Sequence, residues 1–99
     1  MANRSVPVSE SADPVATAEE LLKQLKVSDV LLGSLASLVQ VGYAKLGEGE
    51  TGQVRLAIEA LRAVMPVLEG SAPDDAVRDL RQATANLQLA YANKLKEAT

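Results

Sequence analysis

Hydrophobic positions divide this chain sharply. Residues 1–13 are polar, with Ser5, Ser9 and Ser11 around Pro7 and no apolar period. Such a composition does not offset its own ordering entropy, so a mobile N-terminal tail is expected over 1–13 and a single helical domain over 14–99. From there the apolar residues fall three and four apart, the spacing of one face of a helix. Asp13-Pro14 offers an N-cap followed by proline in the first turn, and Thr17-Ala18-Glu19-Glu20 offers a competing start with capping-box spacing. Leu21, Leu22 and Leu25 share one side of this short helix, and Glu19, Glu20, Lys23 and Lys26 the other. It is expected to end near Val27, because Ser28-Asp29 has the character of the next N-cap.

The second helix holds the stretch LLGSLASLVQVGYAKLG, Leu31–Gly47, with a single charge. At 100° per residue Val27, Leu31, Leu35, Leu38, Val39, Gly42 and Leu46 line one face, widened by Leu32, Ala36 and Tyr43. The opposite side is not charged as a solvated face would be. It carries Gly33, Ser37, Gln40 and Ala44, flanked by Val30 and Val41. Gly47 is the expected C-cap, and Gly47–Gly52 a loop, since three glycines in six residues do not sustain a helix. Glu48 and Glu50 there would repel a phosphate, and the spacing of a calcium loop is missing.

A third helix is expected from about Gly52 to Glu69. Its main stripe is Val54, Ala57, Ile58, Leu61, Met65 and Leu68, with a second stripe of Leu56, Ala60, Ala63 and Val67 on the far side. Arg55, Glu59, Arg62 and Glu69 form a narrow charged strip. Pro66 lies on that strip, where it should bend the helix or end it near Val64 with its ring in water. Gly70 is a stop, and Ser71 with Asp74, around Pro73, resembles a capping box for a last helix reaching about Glu97. That helix aligns Val77, Leu80, Thr84, Leu87, Tyr91 and Leu95, with Asp75, Asp79, Gln82, Asn86 and Asn93 facing away.

The fold class is therefore all-α, a small bundle of a short first helix and three longer ones. Its expected core is Leu31, Leu35, Leu38, Leu46, Ile58, Leu61, Met65, Leu80, Leu87 and Tyr91. Two stripes are left over: Val30, Gly33, Ser37, Val41 and Ala44 on the second helix, and Leu56, Ala60, Ala63 and Val67 on the third. A helix that is apolar or small-residued all round needs cover on every side. These nine residues are the expected oligomer or partner interface, most simply in a homodimer, since twofold self-pairing is the commonest way to satisfy such a surface. Gln40 and Thr84 are the polar residues that could fix register between chains; otherwise Gln40 is exposed and Thr84 bonds back to its own helix.

Composition narrows the chemistry. The chain has no His and no Cys, so the commonest general base, the commonest metal ligand and thiolate chemistry are missing. Glu19-Glu20 and Asp74-Asp75 are neighbours on helix starts, pointing about 100° apart, and suit the dipole rather than a shared acid–base task. No catalytic residue, metal site or cofactor is expected, and the protein is not expected to be an enzyme. Phe and Trp are absent, and Tyr43 and Tyr91 are the only aromatics, so aliphatic side chains must build the core. The net charge is −3 and the basic residues are scattered, so nucleic acid is not an expected partner. A membrane is an unlikely partner too: the apolar stretch is shorter than the ~20 residues a bilayer needs, with Gln40 and Lys45 inside it. With no apolar segment of a secretory signal near the start, a cytoplasmic location is expected.

With the helices placed, VSDVLLGSLASLVQVGYAKLG, RLAIEALRAVMPVLEG and DLRQATANLQLAYAN together resemble a family of small bacterial proteins known as domain of unknown function 1844. The positions that carry the resemblance are Ser34, Leu35, Ala36, Ser37, Leu46, Gly47, Ala57, Ile58, Leu61, Leu80, Leu87 and Tyr91, within about two thirds of the chain from Ser28 to Asn93. The family usually carries a Thr-x-Gly-Asn-Leu-like turn between its last helices, where this chain has LEGSAPDDA. The resemblance implies an all-helical fold, no known activity and no catalytic residue. Function divides between self-association or partner binding through the surplus faces, a carrier or sensor holding a small hydrophobic ligand among Leu31, Leu35, Leu61 and Leu87 as the alternative, and a membrane-surface helix built on Leu31–Leu46, which lacks the Lys/Arg-rich polar face and the Trp or Phe of such helices.

Overall fold

The computed structural model describes residues 14–98. They form four helices and, among the described residues, no strand: α1 (Pro14–Gln24), α2 (Val27–Gly47), α3 (Thr51–Leu68) and α4 (Asp74–Ala98). This is the all-α bundle of one short and three longer helices that the periodicity predicts. The tail expected over 1–13 lies outside the described residues. α2, α3 and α4 pack mutually. Among the described residues, none from α1 belongs to the core.

The helix ends depart from expectation in instructive ways. Ser28-Asp29 does not cap α2. The helix begins at Val27, behind an extended Lys26 (φ −90°, ψ 134°) whose carbonyl accepts from the Asp29 and Val30 amides at 3.0 and 3.1 Å. Asp29 sits inside the first turn instead, where a carboxylate suits the positive end of the dipole. At the far end Gly47 is still helical, and the glycine that needs the left-handed region is Gly49 (φ 79°). The α2–α3 connection is correspondingly short, Glu48 to Glu50. Lys45 Nζ reaches Glu48 Oε1 at 3.3 Å and Glu50 Oε2 at 3.5 Å. The Glu48 hydrogen bond and charge, then Glu50, hold the Lys45 ammonium above its usual range. Hydrogen bonding to Glu50, then Lys45, holds the Glu48 carboxyl below its own.

Gly70 (φ 85°) stops α3 as expected, with the Ser71 and Ala72 amides both donating to the Leu68 carbonyl at 2.9 and 3.0 Å. The capping box expected of Ser71 and Asp74 is replaced by a simpler start. The Pro73 carbonyl accepts from Val77 N–H at 3.1 Å, and Asp75 Oδ1 accepts from Ala76 N–H at 2.9 Å. Glu69 pairs with Arg81 of α4, tying the two helices across this turn.

Pro66 lies inside α3, which runs through it to Leu68 rather than ending near Val64. The ring is exposed, as its place on the charged strip implies. The Arg62 carbonyl loses its helical donor on a side that water reaches. Pro66→Ala restores that donor, and the variant should be neutral or more stable by up to ~3 kcal/mol in a thermal or denaturant melt. A loss above ~1 kcal/mol would mean that the ring's packing outweighs the missing bond.

The core is aliphatic. Leu61, Leu68, Leu87 and Val54 are completely buried, with Leu35, Val39, Ile58, Met65, Ala72, Val77 and Leu80 around them. Of the expected core, Leu31, Leu38, Leu46 and Tyr91 are only partly buried at its rim. Val27, placed by periodicity on the core face, is 74% exposed because the first residue of α2 lies beyond the end of the packed region. Ala72, in the α3–α4 turn, is buried although it belongs to no periodic stripe. Thr84 is buried and its hydroxyl donates to the Leu80 carbonyl at 2.9 Å, whereas Gln40 is exposed. Neither is held by a polar partner from another helix among the hydrogen bonds formed.

Gly42 sets the helix spacing. A Cβ there would stand 2.8 Å from Leu87 Cδ2 and 3.7 Å from the Ala57 Cβ. All three helices therefore meet at this residue.

Candidate functional site

The surplus stripes emerge where the three-helix packing leaves them. α4 lines one groove with Leu32, Ala36, Val39 and Gln40 of α2, and another with Arg62, Met65 and Pro66 of α3. α4 therefore occupies those sides of the two helices. By the 100° rotation per residue, Val30, Ser37 and Val41 lie on the other side of α2, and Leu56, Ala63 and Val67 on the other side of α3. The short turn at Glu48–Glu50 makes α2 and α3 an antiparallel hairpin, and Gly42 opposite Ala57 sets its register. Val41 then falls within a turn of Leu56, and Val30 within a turn of Val67. Two stripes separate in sequence become one surface.

That surface is uncovered. Val30 and Val41 are 48% and 52% exposed, and Leu56 and Val67 60% and 61%. Gly33, Ser37, Ala44 and Ala63 are exposed as well, and Ala60 is half-buried between the helices. None of these nine residues carries a charge. Arg55 and Glu59, joined at 3.0 Å, mark the charged strip of α3 that faces elsewhere, and Lys45 is occupied with the turn at one end. Small residues at Gly33, Ser37, Ala44, Ala60 and Ala63 leave the relief shallow, so an opposing backbone can come close.

A further apolar strip was legible as a helix but not as a surface. Leu21 and Leu22 of α1, and Leu25 just beyond its end, are 58%, 64% and 53% exposed. Their spacing reads equally well as a core stripe, and only the packing shows that no core receives them. Leu89, 63% exposed on α4, lies off the Val77–Leu95 stripe that the periodicity picks out.

Among the described residues no group of three or more His, Cys, Asp or Glu side chains could hold a metal ion. Tyr91 lies at the edge of a groove with Arg55, Ile58, Glu59 and Gln88, without a nucleophile beside it. α2 as a whole, 21 residues with a mean hydropathy of 1.3 in its most apolar window, is longer than the apolar stretch alone and reaches the length that crosses a bilayer. Its Leu35, Val39 and Gly42 face is nevertheless covered by the bundle.

No family model, curated protein or solved structure matches the chain. The resemblance to domain of unknown function 1844 rests on the residues quoted above.

Proposed function

We propose that this protein is a non-enzymatic, cytoplasmic helical protein that self-associates, most simply as a homodimer, through the outer face of the α2–α3 hairpin. A second protein could seat on the same face. The observation that carries the reading is a continuous, uncharged surface from Val30 to Ala44 and from Leu56 to Val67, with its four large side chains 48–61% exposed. Full burial of a valine or leucine is favourable by about 1.5–3 kcal/mol. Soluble monomers seldom leave contiguous surfaces of this kind in water. Twofold pairing would place the same stripes on each other and bury Val41 and Leu56 of both copies.

Light scattering coupled to size exclusion tests this directly. The expected mass at micromolar concentration is twice the chain's 10.4 kDa. A monomer across the accessible concentration range sinks the proposal. The same sample mixed with anionic liposomes should stay with the soluble fraction; co-flotation would assign the face, and α2, to lipid instead.

A further inference from the structure

We propose that α1 and the Leu25 that follows it form an exchanged arm, with Leu21, Leu22 and Leu25 seated in the α2–α4 groove of a second copy of this chain. This rests on the self-association reading and names a second contact within the same assembly. α1 has eleven residues, and isolated helices shorter than ~12–15 residues are marginal in water. Leu21 and Leu22, with Leu25 just beyond the helix end, are more than half exposed and have no cover. Extended Lys26 separates it from α2 and is incompatible with simple continuation of the helix. An amphipathic helix in this position needs a surface from outside its own core.

The groove between α2 and α4 has the matching character. It is about 440 Å³, walled by Leu32, Ala36, Leu80 and Ala83, with Asp79 as its only charged lining residue. A dry cavity of about 150 Å³ accommodates benzene, so there is room here for more than one leucine side chain.

Area points to a second copy as the occupant. The hairpin face runs about 21 Å from Val30 to Ala44. With helix axes about 8–10 Å apart it is about 20 Å wide, a planar footprint of ~400 Å². A specific dimer buries about 800 Å² of accessible surface on each partner. Side-chain relief enlarges the footprint, yet the face alone sits at the low end. Two exchanged arms add six leucines to the same assembly.

The test compares dimer dissociation constants by sedimentation or light-scattering dilution series. Leu22→Glu should weaken the dimer at least tenfold, equivalent to about 1.4 kcal/mol, while its dissociated chain keeps the wild-type helical content and melt. A wild-type monomer defeats the self-association reading itself. A wild-type dimer whose dissociation constant is unmoved by Leu22→Glu overturns the arm alone. Because the chain has no cysteine, placement can be checked by mixing isotopically distinct Leu22→Cys and Ala36→Cys chains under mild oxidation. A mixed inter-chain disulfide is the expected product. If the double variant Leu22→Cys/Ala36→Cys instead closes within single chains and the mixture gives no cross-link, α1 folds onto its own groove and the exchange is refuted.

Discussion

Val41→Glu should abolish the dimer while leaving the isolated bundle's fold largely unchanged. In a single chain Val41 is 52% exposed, and a surface substitution there is normally worth within ±0.5 kcal/mol. In a twofold interface the same change buries two carboxylates without partners, one on each copy, and removes two valines from the contact. Leaving even one buried polar group unsatisfied costs about 1–3 kcal/mol, more if it is charged. The dissociation constant should therefore rise by about a hundredfold or more, equivalent to ~2.7 kcal/mol. Ser37→Arg tests the other half of the face through size rather than burial of an acid. It should act the same way, because Ser37 stands where the two backbones would approach most closely. Such variants can also become less soluble, since their uncovered stripes remain apolar. If both behave like wild type by light scattering, the α2–α3 face is not where copies meet.

Gly42→Leu should have the largest effect on the fold itself. A Cβ there would fall 2.8 Å from Leu87 Cδ2 in the buried core, so Leu87 must shift even for alanine, and the larger leucine side chain must displace its neighbours. Extra carbons in a well-packed core typically cost ~1–3 kcal/mol and occasionally more. Here they must separate α2 from α3 and α4 at once, which puts the cost at or above the upper end. Gly47→Ala is the control, since nothing lies within 4 Å of its Cβ. It should be neutral or gain up to about 1 kcal/mol from helix propensity. A denaturant series on the two variants separates packing from propensity. Equal stabilities would mean that the three helices do not meet at Gly42.

Much of the bundle was legible because its main signal is local. Apolar residues at Leu35, Ile58, Leu61, Leu80 and Leu87 recur at helical spacing, and burial along one stripe leaves few alternatives for the face that turns inward. Breaks at Gly70 and around Gly49 follow from the left-handed backbone that only glycine adopts freely. The boundaries were less legible. Ser28 and Asp29 have cap chemistry, but the carbonyl of Lys26 took the first helical bonds once its extended conformation was set. Pro66 illustrates the same limit, because its ring penalty is real yet smaller than the packing of Leu68 beyond it, so the helix continues.

The sequence by itself determined that the chain is all-α, which stripe of α3 and α4 is buried, and that α2 and α3 carry more apolar surface than one core can use. These follow from residue type and a period of 3.6, which are properties of single helices. Tertiary structure alone decided that the two surplus stripes lie side by side. Whether Val41 and Leu56 share a face or sit on opposite sides depends on where α4 docks, and that depends on the close approach at Gly42 rather than on either stripe. It also decided that the leucines of α1 find no place in the core, because α4 fills the third corner of the bundle and three packed helices already cover Leu61 and Leu87 completely.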